Sequence, residues 1–366
     1  MDYVNIDEIE YAAKLKLPES VYDFCAGGSS DEITLKRNRS VFSEVGLVPR
    51  VLTGCDTVNL AVNVLGIYLP FPILGAPIAF QCLLHVDGEI AIANALHNNG
   101  LIYTCSTMST ISLEEIAEKS PGLNFFQLYA LKDHNLTLQL IRRAEMAGYR
   151  AIMLTVDVPI MGKRERDLKN KFTLPEHLYA SNFSKEKCKK LSEKIDDSSV
   201  KIFTDDEFYS ALSWKDIGWL KSQTALPIIL KGIMRPSDAE KAIKYGVDAI
   251  VVSNHGGRQL DGVISSLELL PAIASKVDKK IPVFLDGGIR RGTDILKALA
   301  LGADGILIGR PLLWGLAVSG QCGVATVLSI LCKELTEAMI LCGYQSIYEL
   351  KQDNDLVRYH AKFVGL

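Results

Sequence analysis

The sequence predicts an α/β fold: a (β/α)8 TIM barrel of eight parallel strands, with an amino-terminal helical extension and a lid insertion after strand four. Three observations carry this reading. Four stretches share one phrase of helical pattern, glycine and short apolar strand: AIANALHNNG-LIYTC, LIRRAEMAGY-RAIMLTVD, AEKAIKYGVD-AIVVSN and DILKALALGAD-GILIGR. Gly100, Gly148, Gly246 and Gly302 fall where a helix ends in a left-handed residue. The strands are apolar throughout rather than alternating, as strands buried on both faces must be. Helix and strand patterns alternate along the chain, which implies parallel βαβ units. An open doubly wound sheet is the alternative, but no G-x-G-x-x-G follows the first strand, so a Rossmann dinucleotide site is not expected.

Residues 1–70 precede the first barrel strand and read as helices capping the barrel. The uncharged stretch Thr57–Gln81 raises a membrane question, but Gly66, Pro70, Pro72, Gly75 and Pro77 interrupt it. It reads as two short buried strands, with no transmembrane segment. The barrel strands are expected at Ile73–Ala76, Leu101–Cys105, Asn124–Tyr129, Ala151–Thr155, Pro227–Lys231, Ala249–Ser253, Pro282–Asp286 and Gly305–Ile308. Residues 171–213, polar and carrying KEKCKK, are too long for an ordinary βα connection and read as a lid. The whole chain, 1–366, is expected to form one domain, with the barrel over 71–366.

Composition excludes several classes. Of 366 residues 48% are hydrophobic and 23% charged, and 40 basic against 43 acidic side chains leave a net charge of −3. No basic excess exists to displace counterions from a nucleic acid, and the chain is too apolar to be disordered. The eight cysteines show no C-x-x-C spacing and read as buried free thiols in a reducing compartment. The acidic start MDYVNIDEIEYAAK lacks the apolar stretch of a signal peptide.

The predicted strands end in unusual residues. These are Pro77 and Ala79, Ser106, Gln127 and Tyr129, Thr155 and Asp157, Lys231, Ser253 and His255, Asp286, and Gly309. Enzymes of this fold place their chemistry there, and so many polar ends on one rim are hard to explain as helix caps. Gly287, Gly288 and Gly309 let backbone N–H groups approach an anion, a helix starting near Thr293 adds its positive end, and Arg290 and Arg310 add charge. That is a phosphate cradle. Lys231 ends an apolar strand, which is costly without a partner; a Schiff base and stabilisation of a bound cofactor both fit. His255 precedes Gly256-Gly257-Arg258, setting a base beside a carboxylate-binding guanidinium, with Asp157 able to orient the imidazole. No cluster has metal-ligand spacing, so no metal is expected.

SNHGGRQLDG at 253–262 and DGGIRRGTDILKALALGADGILIGRP at 286–311 resemble the FMN-dependent 2-hydroxy-acid oxidases and dehydrogenases. VYDF at 21–24, APIAF at 76–80, FFQLY at 125–129, LTVDVP at 154–159, GKRERD at 162–167 and LPIILKG at 226–232 extend the likeness along nearly the whole chain. The resemblance implies FMN across the barrel mouth. Pro77, Ile78 and Ala79 would line its ring, Ser106, Gln127 and Thr155 would hydrogen-bond its isoalloxazine or ribityl region, and Ser253 would also contact it. Lys231 would stabilise the reduced ring; Asp286, Gly287, Gly288, Arg290, Gly309 and Arg310 would hold the ribityl chain and phosphate. Arg164 and Arg258 would clamp the substrate carboxylate, with Tyr129 near the hydroxyl. His255 would remove a proton, from the hydroxyl with hydride transfer or from the α-carbon, and Asp157 would support its charged form.

The chain also departs from the family pattern. Members acting on short acids usually have a tyrosine where Phe24 stands, and glycolate-type enzymes a tryptophan where Met108 stands; Met161 faces the same loop. The implied pocket is apolar and adaptable, suited to medium or long aliphatic or aromatic acids over glycolate; a lactate oxidase, or a dehydrogenase using another electron acceptor, is the alternative. No haem domain precedes the barrel in this sequence, and 171–213 has no apolar inserting run, so O2 is the expected electron acceptor, with hydrogen peroxide the product. The resemblance further implies a homotetramer or octamer. The ending Phe363-Val364-Gly365-Leu366 is no clear S-K-L peroxisomal signal, so the cytoplasm is the default location.

Overall fold

The structure, a computed structural model, describes residues 3–192 and 198–359, so the carboxy-terminal Phe-Val-Gly-Leu lies outside the described residues. The barrel strands are β1 (Ile73–Gly75), β2 (Tyr103–Ser106), β3 (Asn124–Leu128), β4 (Ile152–Thr155), β5 (Ile228–Ile233), β6 (Ala249–Val252), β7 (Val283–Asp286) and β8 (Gly305–Ile308). All eight overlap the predicted segments. They run parallel in the order β1-β8-β7-β6-β5-β4-β3-β2. The ring closes where Leu74 bridges Ile102 and the Gly75 N–H donates to the Ile102 carbonyl at 2.8 Å. Closure leaves no sheet edge unpaired.

The apolar strand runs are explained by what each face buries. Leu74, Phe125, Met153, Ile229, Val251, Phe284 and Leu307 fill the interior, and the alternate residues face the helices. Gly100, Gly148, Gly246 and Gly302 all take positive φ at helix ends, as expected. Residues 57–81 depart from expectation. They hold three short strands rather than two: an antiparallel hairpin, Val62–Val64 with Ile67–Leu69, and then β1. Val64 and Leu69 of the hairpin pack into the interior cluster, plugging the end at which the strands begin.

The amino-terminal extension forms α1 (Ile6–Lys16), α2 (Glu19–Ala26) and α3 (Ile33–Ser40). The Asn5 side chain caps α1 by accepting from the Glu8 N–H. This helix lies on the long carboxy-terminal helix Arg310–Cys342, while α2 meets the short helix Glu165–Lys169 and α3 the turn His255–Gly257. The helix Arg310–Cys342 is long and apolar enough to cross a membrane by length and composition. It is, however, broken at Ser319–Gly320, and its buried face packs on α1 and on helices Gly88–His97 and Gly292–Ala300. The strand Val357–Tyr359 returns to pair with Val45–Leu47.

Within the predicted lid the helix Ser199–Glu207 buries Val200, Phe203 and Thr204, and Phe208 bridges to Leu131 after β3. All eight cysteines are free. Cys25, Cys105, Cys188 and Cys342 are buried, but Cys55, Cys82 and Cys332 are partly exposed and Cys322 is exposed, because it stands on the outer side of its helix.

Candidate active site

The carboxyl ends of the strands open into a cleft with about 1340 Å³ of atom-free space, open solvent at its mouth included. Pro77, Ile78 and Ala79, leading out of β1, form one wall. Phe80 fixes this wall: it takes φ 55°, and its N–H donates to the Met108 carbonyl at 3.1 Å. Ser106, Gln127 and Thr155 end three neighbouring strands and join in a row. The Ser106 hydroxyl donates to Gln127 Oε1 at 3.2 Å, and Gln127 Nε2 donates to Thr155 Oγ1 at 3.0 Å.

Lys231 of β5 is buried, with Nζ 2.9 Å from Asp286 Oδ2 and 3.0 Å from Ser253 Oγ. Burial opposes its charge, but Asp286 and Asp157 outweigh it and hold the ammonium above the ordinary lysine range. The ion pair answers the cost of the buried lysine. It also corrects one expectation: Ser253 does not line the cleft. Its fully buried hydroxyl accepts from Lys231 Nζ and from the His255 N–H at 3.1 Å, so it supports the site from behind.

His255 stands in the left-handed region at φ 58°. Its Nδ1 lies 3.0 Å from Asp157 Oδ1, leaving Nε2 for the cleft. Gly232, at φ 115°, makes this approach possible: a Cβ there would stand 2.7 Å from the Asp157 Cβ. Burial drives the His255 imidazole below its usual range, and Asp157 pulls back against it. Burial would raise Asp157, but the facing His255 and Lys231 hold its carboxyl below the usual range. Gln259 fastens the segment carrying Asp157, donating to the Asp157 and Ile160 carbonyls at 3.0 and 2.8 Å.

Arg164, Arg258 and Tyr129 meet on the His255 side. Arg164 Nε is buried with no hydrogen-bond partner among the described residues. Burial and then the neighbouring Arg258 push its guanidinium down to about 9. Burial pushes the Tyr129 hydroxyl up to about 12, so it stays a donor. Arg258 Nη1 donates to the Phe24 and Gly27 carbonyls at 2.7 and 3.0 Å. The Phe24 ring lies 5.3 Å below that guanidinium and stacks on Phe172 at 4.3 Å. Phe24 therefore both packs the extension and lines the cleft, with Met108 and Met161 beside it.

At the other end Gly287 and Gly288 take φ 104° and 82°. A Cβ at Gly288 would stand 1.8 Å from the Asn38 carbonyl oxygen, whereas one at Gly309 would meet only Ala76, at 3.7 Å, in otherwise open space. Arg290 Nε is buried, with Glu10 Oε2 3.6 Å away and no hydrogen-bond partner among the described residues. The Arg310 guanidinium donates to three main-chain carbonyls, of Cys25, Gly27 and Gly256, at 2.9–3.0 Å. Three of its five N–H groups thus tie the extension to the barrel, which leaves two for the cleft that it also lines.

The lid residues Val200, Thr204 and Phe208 also line the cleft, and Phe172 backs the Phe24 ring; sequence reasoning did not single them out. Phe208 stacks on Tyr129 at 4.3 Å. The helical spacing of Val200 and Thr204 marks an apolar face, but not what that face covers.

Comparison with known proteins decides the family. The FMN-dependent dehydrogenase family matches residues 13–357. The chain belongs to this family. It is 49% identical over 351 residues to an L-lactate oxidase of Nostoc, covering 95% of this chain and 96% of that protein. It is 44% identical to the glycolate oxidase of Spinacia oleracea, covering 97% and 96%. A crystal structure of mandelate oxidase with (S)-4-hydroxymandelic acid superposes with a TM-score of 0.93 at 42% identity, covering 97% and 98%. The chain is an FMN-dependent 2-hydroxy-acid oxidase. The cleft fits that cofactor on its own terms. Asp286 Oδ1 is buried without a hydrogen-bond partner among the described residues, Arg290 Nε has only a long ion pair with Glu10 at 3.6 Å, and Gly309 leaves room beside a helix start, where an anion is stabilised.

Proposed function

We propose that this enzyme oxidises medium- or long-chain aliphatic or aromatic (S)-2-hydroxy acids in preference to glycolate, with O2 taking the electrons to give hydrogen peroxide. One observation carries the reading. Beside His255 and the two arginines, the side-chain end of the cleft is apolar, built by Phe24, Met108, Met161, Val200 and Phe208.

Residues of the chain divide the work. Bound FMN supplies a two-electron sink. Pro77–Ala79, Ser106, Gln127, Thr155 and Lys231 would hold its ring, and Asp286–Gly288, Arg290, Gly309 and the Arg310 main chain its ribityl phosphate. Arg164 and Arg258 fix the substrate carboxylate by charge-assisted bonds, and Tyr129 donates to the hydroxyl side. His255 Nε2 takes a proton, and Asp157 at Nδ1 stabilises the imidazolium that forms. A second reading, lactate as the preferred acid, draws on the 49% identity to an L-lactate oxidase.

The test is an anaerobic visible spectrum titrated with (S)-2-hydroxy acids from glycolate and lactate to 2-hydroxyoctanoate and mandelate, followed by re-aeration. Bleaching favours the long and aromatic acids, and colour returns with peroxide. Bleaching by lactate alone would establish the second reading, and colour that does not return with air would remove O2 as the acceptor.

A further inference from the structure

The two arginines of the carboxylate clamp come from segments almost a hundred residues apart, after β4 and after β6. What holds them in register is a cluster of charges outside the cleft. Arg166, two residues beyond Arg164, reaches the amino-terminal extension. Its Nη1 lies 3.1 Å from Asp23 Oδ1 on α2, and its Nη2 2.5 Å from Glu32 Oε2 at the start of α3. Asn170 Nδ2 donates to the other Asp23 oxygen at 2.8 Å, and Glu32 Oε1 accepts from the Gly28 N–H at 2.9 Å. Around this cluster the Ser30 N–H donates to the Lys163 carbonyl at 2.8 Å, and the Ser29 N–H to the Gly257 carbonyl at 2.9 Å.

The segment so held, 23–32, is the one Arg258 leans on. Its Nη1 is anchored by the Phe24 and Gly27 carbonyls, on either side of the α2 terminus. Arg164, by contrast, has no such anchor at Nε. Its place is set by the short helix Glu165–Lys169 that it begins, and Arg166 pins that helix to α2.

We propose that Arg166 is a positioning residue for substrate binding: by bridging Asp23 and Glu32 it holds Arg164 and Arg258 at the spacing of one carboxylate. This rests on the reading of those two arginines as the carboxylate clamp. Arg166 itself lies outside the cleft lining, and its side chain is 37% exposed. Its partners Asp23 and Glu32 are less exposed, at 18% and 14%, so the bridge also adds to stability. Its contribution to binding is geometric, and small misplacements of a binding group are costly.

The experiment compares Arg166→Met, Arg166→Lys and Glu32→Gln with the parent holoenzyme, using the best acid of the spectral titration. KM and kcat are read from oxygen uptake, alongside FMN content and the thermal midpoint. Arg166→Met is expected to raise KM roughly tenfold, with kcat changed less than about threefold, FMN content unchanged and only a modest fall in midpoint. Arg166→Lys, which keeps the charge but loses the two-armed fork, falls between. Glu32→Gln raises KM in the same direction and carries the test should Arg166→Met fail to fold. Arg258→Lys serves as the control for the underlying reading. KM unchanged in Arg166→Met, or in Glu32→Gln where that variant carries the test, but raised in Arg258→Lys overturns the positioning role alone. KM unchanged in all the variants overturns the carboxylate clamp and the inference together. A fall in kcat or in FMN content that matches the rise in KM would mark Arg166 as merely structural and overturn the proposal.

Discussion

The Gly288–Gly309 cradle and the Arg164–Arg258 clamp both fit anions, but they are built in different ways. The cradle is local: it comes from the ends of β7 and β8, adjacent strands, and its backbone is pressed against Asn38 of α3. The clamp is assembled from the loops after β4 and β6, with α2 carbonyls beneath and Phe172 alongside. A cofactor held in every turnover suits the first construction. A site that selects among substrates suits the second, because each contributing segment can change without disturbing the barrel.

The largest expected effect lies between the two regions, at His255. In His255→Gln the proton acceptor is gone while the cradle is intact. Anaerobic reduction by the best substrate should slow by about 10²–10⁴-fold, with FMN content unchanged. Retained reduction would remove His255 from the chemistry. Next comes the cradle. Gly288→Ala would set a Cβ 1.8 Å from the Asn38 carbonyl, which backbone cannot yield to, so the protein should purify without flavin or fail to fold. Gly309→Ala meets no such neighbour; it should fold normally but hold FMN less tightly, because the added methyl occupies ligand space. The ratio of visible to ultraviolet absorbance distinguishes them. Equal flavin loss in both, with normal folding, would undo the view of a cradle fixed by Asn38.

Asp157→Asn has a smaller effect on rate and a directional one on pH. Burial already holds His255 below its usual range, and Asp157 is the group pulling it back up. The neutral imidazole is the competent base, so kcat/KM should be level through neutrality and fall only as pH drops through that lowered value. Removing Asp157 lowers it further, moving the acid limb to lower pH, and turnover drops about a hundredfold as the imidazolium loses its partner. An acid limb that moves upward would contradict the assigned pairing.

The contrast between the regions also explains what could be read in the sequence. The cradle was legible because its glycines, Asp286 and Arg290 stand within a few residues of two apolar strands whose burial makes them unmistakable. His255 was legible for the same reason. Hydrogen bonding could not be read from the sequence: three Arg310 donors go to Cys25, Gly27 and Gly256, and the Ser253 hydroxyl accepts from Lys231 behind the cleft. Val200, Thr204 and Phe208 left no local mark. Their role arises only because the lid folds back over the mouth, and helical spacing cannot say onto what a face folds.

Phe24 tests the clamp most gently. Its ring lines the cleft beneath Arg258, so Phe24→Tyr adds a hydroxyl next to the place assigned to the substrate carboxylate. A hydrogen bond to a charged group is worth about 1.5–3 kcal/mol, but the new hydroxyl must first be buried between Phe80 and Phe172, which takes back part of that gain. The net should be a roughly tenfold lower KM for glycolate, with a smaller change for 2-hydroxyoctanoate, whose chain already gains from Met108 and Met161. The preference for long acids would then narrow. Were both KM values to fall alike, the hydroxyl would be strengthening the clamp without affecting selection, and the preference would belong to the methionines and the lid. Were neither to move while the thermal midpoint dropped, the hydroxyl would be buried without a partner, and Phe24 would be packing the extension rather than choosing the acid.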